Sequence, residues 1–232
     1  MTGQPTARIA LHLLVIPCLI AVPLAAQSLN EIFAGMDKTA QQFKSAEANI
    51  KRDRHTAVID DDSYDTGTIK IKKDKGHDIR MLIDVTGADA QTVSLAGSTA
   101  SVYYPKINTV QVYDIGAKKN LVEQFLLLGF GASSAELKAA YTVTWVGMES
   151  IGGQPSGHIV LVPRSGDVSR QLKQAELWIS QNHGLPVQQK IVFANGDFWL
   201  VTYSNLKFNP DLSDDSLKLK TKKGVLIEHP RL

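Results

Sequence analysis

From Ala46 onward the chain alternates apolar and polar residues with a period of two. Ile69 and Ile71 alternate with Thr68, Lys70 and Lys72, and Val110 and Val112 with Thr109, Gln111 and Tyr113. Successive side chains of a strand point to opposite faces, so this pattern demands sheets with one apolar and one wet face. It predicts strands near 46–59, 64–73, 77–85, 91–96, 100–104 and 109–115, then near 142–149, 155–163, 173–181, 185–194 and 197–209. Turn signals separate them: Asp74-Lys75-Gly76, Ala96-Gly97-Ser98, Asn182-His183-Gly184 and Asn195-Gly196, the last a type I′ candidate. Consecutive hairpins of this kind form a meander.

Helical periodicity occurs in three places. Ser28 with Glu31 is a capping-box pattern, and Leu29, Ile32, Phe33, Met36, Ala40 and Phe43 form one apolar stripe behind it. Asn120 to Leu128 is helical in composition and ends at Gly129-Phe130-Gly131, and a second short helix follows from Ser133 to about Tyr141. Ser213 to Leu217 reads as a last helical turn. An antiparallel sheet of about eleven strands must curl, and its apolar face must be covered. The predicted fold class is therefore α+β: a curved antiparallel sheet forming a half-open barrel, with helices over its concave apolar face.

The N-terminus has another purpose. Arg8 precedes the apolar run Ile9 to Leu24, which ends in Ala25-Ala26 before Gln27-Ser28, the layout of a cleaved secretory signal peptide. The run is short of the roughly 20 residues that span a bilayer and contains Pro17 and Pro23. The expected division is a signal peptide over 1–26 and one domain over 27–232. Cys18, the only cysteine, lies in the signal run after Pro17 and before Leu19-Ile20-Ala21-Val22, without the surroundings of a lipidation site. The mature chain then has no disulfide and no thiol, and burial alone must stabilise it. Without Arg8, 24 Lys and Arg face 23 Asp and Glu, a balance that argues against nucleic acid as a partner.

Catalytic patterns are not found. His55, His77, His158, His183 and His229 are scattered without metal-ligand spacing, and His77 and His183 read as solvated. Asp60-Asp61-Asp62 lacks the alternating ligands and glycine of a calcium loop. Gly153-Gln154-Pro155-Ser156-Gly157 puts its serine one place off a nucleophile elbow and reads as a turn. The chain is expected to be no enzyme and to need no cofactor or metal.

The apolar residues are more informative. Ile69, Ile71, Ile79, Met81, Ile83 and Val85, then Val93, Leu95, Val102, Tyr104, Val110 and Val112, are expected to share one face across six strands. The insertion adds Leu121, Val122, Phe125, Leu126, Leu127, Leu128 and Phe130, more than one helical stripe requires. Two readings fit: a plug that is all core, or a lid over a cavity that apolar ligands fill.

The order of elements over the whole mature chain resembles the periplasmic outer-membrane lipoprotein carriers, the LolA/LolB superfamily. The residues that carry the resemblance are Val93-Ser94-Leu95-Ala96-Gly97 with Val102-Tyr103-Tyr104-Pro105, Leu177-Trp178-Ile179-Ser180 with Gly184-Leu185-Pro186, and Tyr203-Ser204-Asn205-Leu206-Lys207-Phe208-Asn209 with Lys223-Gly224-Val225. The resemblance implies a monomeric periplasmic carrier, a chaperone of outer-membrane biogenesis. Its cargo would be the acyl chains of lipoproteins or lipids, received from an inner-membrane releasing complex and passed to an outer-membrane acceptor. It places cargo against Ile69, Ile71, Ile79, Met81, Ile83, Val93, Leu95, Val102, Tyr104, Val110, Val112, Phe125, Leu126, Leu128 and Phe130. Members often have a basic residue before a proline after the second strand, which helps hold the lid. Here the place reads Lys72-Lys73-Asp74-Lys75, so Lys73 is the lid-latch candidate, a point charge without arginine's fork.

The alternative is a lipid- or lipoprotein-sensing or accessory domain of the same fold, though sensors of this fold tend to carry a second domain. A small outer-membrane barrel does not fit, because the helical stretch 118–141 and the tail Glu228-His229-Pro230-Arg231-Leu232 break its pattern. On export the mature protein should begin at or near Gln27 and fractionate as soluble periplasmic material. Intact mass of the exported protein checks this, and an acylated Cys18 retained in membranes would refute it.

Overall fold

In the computed structural model the described residues are 24–74, 78–116, 119 and 128–230, with side chains from Ser28 onward. The signal run over 1–23, the turn residues Lys75, Gly76 and His77, and the apolar stretch 120–127 with Phe125 and Leu126 lie outside them. Among the described residues no helix is long and apolar enough to cross a membrane.

Helix α1 (Leu24–Gln42) starts earlier than its capping pattern suggested, so Ser28 lies inside it rather than at its N-cap. Its stripe is as read: Ile32, Phe33 and Met36 are buried. Eleven strands follow the alternation closely: β1 (Ser45–Thr56), β2 (Asp61–Lys73), β3 (Ile79–Thr86), β4 (Gln91–Ala96), β5 (Thr99–Tyr104), β6 (Thr109–Asp114), β7 (Tyr141–Ile151), β8 (Gln154–Pro163), β9 (Leu172–Ser180), β10 (Pro186–Phe193) and β11 (Phe198–Phe208). Helix α2 (Ser134–Ala140) carries a complete capping box between Ser133 and Glu136. A twelfth strand, β12 (Leu226–Glu228), was not anticipated; it pairs parallel with β6. The Asn195-Gly196 turn is not type I′: Gly196 has positive φ and Asn195 does not, and Phe193 N–H bonds to Asp197 O across a longer loop.

The strands form one sheet in the order β12-β6-β5-β4-β3-β2-β1-β11-β10-β9-β8-β7. The first and last strands of the meander, β1 and β11, thus pair at the centre, and β6 and β7 are thrown to opposite sides. Asn209, at φ 54°, fixes this join. Its Oδ1 accepts from Lys44 N–H (2.8 Å) and Ser45 N–H (3.1 Å), and its Nδ2 donates to Gln42 O (2.8 Å).

Two apolar clusters line the inner face. One joins Phe43, Ile50, Ile69, Ile71, Met81, Leu95, Phe130, Leu185 and Tyr203. The other joins Ile32, Phe33 and Met36 of α1 to Leu128, Leu137, Ile159, Leu161, Leu177 and Ile191. Helix α1 rests directly on the β9–β10 turn: a Cβ on Gly184 (φ 64°) would lie 2.3 Å from Gly35 O, so only glycine fits. Asp37 of α1 also receives the backbone N–H (2.7 Å) and hydroxyl (2.8 Å) of Ser134, fastening α2 to α1.

After β11 the chain crosses the outer face of β2–β6 as a strap. Leu212 and Leu217 are buried, with Leu217 in the expected helical turn, a 3-10 helix over Asp214–Leu217. Asp214 accepts hydrogen bonds from Lys72 (2.8 Å) and Arg80 (2.7 Å), and Arg80 also pairs with Asp74. The Lys72 and then Arg80 contacts pull the Asp214 pKa from 3.8 down to about 2. Its carboxylate therefore supports the docked strap fully above the ordinary value and loses that role as pH falls through about 2. The protection of the Leu226–Glu228 amides, taken relative to an unfolded chain at the same pH, should fall between pH 4 and pH 2 (roughly the span of that shift). Asp214→Asn should exchange fast already at neutral pH, and equal exchange in both proteins would remove Asp214 from the docking of the strap.

Candidate functional site

Paired residues of an antiparallel ladder share a face, so the registers sort the expected lining residues. Ile71 faces Met81, and Met81 faces Leu95; Ile69 faces Ile83, then Val93, then Val102. These residues, with Ile79 and Tyr104, therefore share the inner face as expected. Val110 and Val112 do not. They pair with Tyr103 and Ser101, on the outer face, while Gln111 faces Val102 and Tyr113 faces Ala100. The alternation in β6 is real but its apolar side points outward. Period two cannot say which side is covered, and here the strap crosses the outer face, where Val110 is buried.

The inner face has a packed centre and a flank of partly exposed residues. Ile71, Met81 and Leu95 are fully buried, and Leu128 and Phe130 are as buried as core residues. Phe130 meets the Tyr203 ring edge-on at 5.0 Å. Tyr203 donates its hydroxyl to Gln189 Oε1 (2.8 Å), and Gln189 donates to Leu128 O, so a buried polar relay pins residue 128 to the sheet. Burial pushes the Tyr203 pKa well above the phenolic range and keeps the hydroxyl a donor. On the flank formed by β3–β6, Ile79, Ile83, Val93, Ala100, Val102, Tyr104 and Tyr113 keep partial exposure. Burial raises the Tyr104 pKa as well. Lys73 sits at the end of β2 on the inner face opposite Ile79. At the same rim, Lys119 reaches Asp78 at 2.5 Å.

Toward the other end of the trough the lining changes character. Inward positions of β1 run Ala46, Ala48, Ile50 and then Arg52 and Arg54. Arg52 pairs with the buried Asp65 at 2.8 Å, and its guanidinium lies 5.2 Å from the ring of Trp199. Arg54 stands 3.1 Å from the same carboxylate and reaches Asp89 in the β3–β4 turn at 2.5 Å. The Arg54 Nε is buried, and its N–H finds no hydrogen-bond acceptor despite that ion pair. This group escaped the sequence reading, which followed apolar residues and passed over charges at inward positions. The run Lys51 to Arg54 carries the signal, since Arg52 and Arg54 continue the phase of Ala48 and Ile50.

The histidines are also better placed than their spacing suggested. His158 on the outer face lies between Glu149 (2.7 Å) and Glu176 (3.0 Å) and stacks on Trp178 at 4.2 Å. Hydrogen bonds from Trp178 and then His158 hold the Glu149 pKa below the usual carboxylate range. His183 is half-buried rather than solvated, and burial lowers its pKa. Among the described residues no three histidine, cysteine or carboxylate groups are arranged to hold a metal ion.

A cavity of about 650 Å³ lies between the strap and the outer face, lined in part by Lys70, Asp84, Thr92, Tyr103, Asp215 and Lys218. Its charged walls suit no acyl chain, and it is on the opposite side of the sheet from the apolar flank.

No family model and no curated protein matches the chain. Solved structures do. The chain is similar to MucB (15% identity, 89% of this chain and 66% of that one, TM-score 0.51) and to a conserved protein of Thermus thermophilus (9%, 88% and 100%, TM-score 0.54). A LolA superfamily protein of Nitrosomonas europaea matches at 12% identity over 82% of this chain and 97% of that one, with a TM-score of 0.39. The chain thus spans just under two thirds of MucB. At these identities the likeness is one of fold: a half-open barrel with helices against its inner face.

The contrast between centre and flank can be measured. Phe130→Ala should cost about 3–5 kcal/mol of stability as a core truncation, whereas Val102→Ala on the flank should cost about 1 kcal/mol or less. Thermal and urea unfolding of the two variants would check it, and equal losses would mean the flank is packed like the centre.

Proposed function

We propose that this protein binds the acyl chains of lipids or lipoproteins on the apolar flank of its inner face and carries them through the periplasm from inner to outer membrane. The observation that supports this reading is the flank itself: Ile83, Val93, Val102, Tyr104 and Tyr113 keep partial exposure inside a curved sheet whose centre is fully packed. Partly exposed apolar side chains adjacent across the strands of a concave sheet are the ordinary form of an apolar ligand site. Ile69, Ile71, Met81, Leu95, Leu128 and Phe130 form the floor and one wall behind it. In this reading the outer-facing Val110 and Val112 belong to the strap's docking surface.

Energetics explains why a carrier needs such a surface. Each methylene taken out of water is worth about 0.8 kcal/mol, so three acyl chains would cost roughly 30 kcal/mol or more to expose. A carrier must also release its load. A flank that is half-covered rather than sealed suits reversible binding, and the role is one of shielding and handing on, without chemistry on the cargo. An inner-membrane releasing complex would supply the cargo and an outer-membrane acceptor would take it. The fold shared with MucB and the Thermus protein is compatible with this role.

Native mass spectrometry of the full chain purified from cells should show a bound lipid or acylated species. Val102→Asp should weaken binding of a fluorescent hydrophobic probe by about tenfold or more, because a carboxylate in an apolar site is costly, while the fold persists. A purified protein without bound mass, whose probe binding is indifferent to Val102→Asp, would refute the reading.

A further inference from the structure

The strap is tied to the outer face at both ends and arches between the ties. At one end Lys72 and Arg80 hold Asp214, and Leu217 is buried beside it. At the other, the Lys222 N–H donates to the Tyr103 hydroxyl (3.3 Å), which itself donates to Asn108 Oδ1 (3.0 Å). The cavity of about 650 Å³ lies under this arch, within the size range of small-molecule sites.

Its wall carries unlike charges that are only partly spent on each other. On the sheet side Asp84 accepts one hydrogen bond, from the Thr92 hydroxyl (3.0 Å). Lys70 and Gln91, in the same wall, make no side-chain hydrogen bond or ion pair among the described residues. On the strap side Asp215 stands 3.4 Å from Lys218 and 3.5 Å from Lys220. An ammonium has three donors, so each of these lysines keeps donors to spare. Around the cavity, Lys72 and Arg80 close on Asp214 and Asp74, and Glu47, beside Lys70, pairs with Lys207. Lys106 stands near Asp89, and Lys222 and Lys223 follow on the strap.

The wall is therefore mixed rather than of one sign. A bare anion here would meet Lys70, Lys218 and Lys220 but also Asp84 and Asp215, and a cation would meet the reverse conflict. A group that both donates and accepts can pair with all of them, and the hydroxyl is that group. Between the polar side chains, Leu82, Tyr103 and Pro105 add apolar surface suited to the C–H face of a ring. The Tyr103 ring is held in place by the two hydrogen bonds of its hydroxyl.

We propose that the strap and the outer face of β3–β5 form a binding site for a neutral saccharide of one or two rings. Asp84 and Asp215 accept from its hydroxyls, Lys70 and Lys218 donate to them, and Leu82 and Tyr103 lie against a C–H face. The site is on the opposite side of the sheet from the apolar flank, so it stands or falls independently of the lipid-binding reading. A ligand that touches both sheet and strap also stabilises the docked strap, because it binds that state alone.

The test titrates maltose, cellobiose and di-N-acetylchitobiose into the isotope-labelled full mature protein and follows amide shifts by NMR. Inorganic phosphate, spermidine and glycylglycine serve as the anionic, cationic and zwitterionic controls. At least one disaccharide should bind with a Kd on the order of 1 mM or below and move the amides of Asp84, Thr92, Tyr103 and Ser216 together. Protection of the Leu226–Glu228 amides should rise in its presence. Asp84→Ala, at an exposed position, and Lys70→Met should each weaken the sugar about tenfold, the scale of one hydrogen bond to a charged group. Lipid occupancy in native mass spectrometry should be the same in both variants as in the wild type. The proposal is overturned if no disaccharide moves these amides, or if a charged control binds as tightly as the sugars. Sugar binding that ignores both substitutions would overturn it too.

Discussion

The pairing of β1 with β11 governs the rest of the molecule. Because the two ends of the meander meet at the centre of the sheet, β6 and β7, adjacent in sequence, are thrown to opposite sides, β7 at one edge and β6 one strand from the other, inside β12. Ten strand spacings separate them in the order of the sheet, about 48 Å if it were flat. Residues 115–140 must bridge that gap. Curling shortens the distance, and the described end of the bridge, from Leu128 to α2, lies against the inner face, where Leu128, Phe130 and Leu137 join its clusters. Cover over the trough is thus a consequence of strand order. Asn209 holds the join itself, with one side chain tied to three backbone groups around the start of β1.

The two faces of the sheet then serve different ends. The inner face is apolar, packed at its centre by Phe43, Phe130 and Leu185, with partly exposed residues over β3–β6. The outer face of the same strands is occupied by the strap, which is held by ions as much as by oil: Lys72, Arg80 and Asp74 around Asp214, and Leu212 and Leu217 beneath. A strap on the outside stiffens β2–β6 without filling the concave side.

Much of the fold was legible because alternation is a local signal with a global meaning. All eleven expected strands are present within a few residues, and Ile69, Ile83, Val93 and Val102 share a face as their phase required. Three things were not legible. Strand order is set by the β1–β11 register, which no local pattern encodes. β12 is three residues long and exposed, too short to alternate. Which side of β6 faces inward depended on the strap, a segment that itself reads as tail, so Val110 and Val112 were assigned to the wrong face. The charged end was missed for a different reason. Inward charges are unusual, and a reading that looks for apolar lining treats Arg52 and Arg54 as surface even when their phase says otherwise.

β12 has a consequence for assembly. A curved open sheet has two margins, and if both are bare, copies can add strand to strand without limit, as in filaments. Here one margin is already occupied by the chain's own tail, and that added strand is only three residues long, while β7 offers eleven residues at the other margin. A three-residue exposed strand is a poor template for another chain, so the tail blunts one margin of the sheet and leaves the long edge to β7 alone.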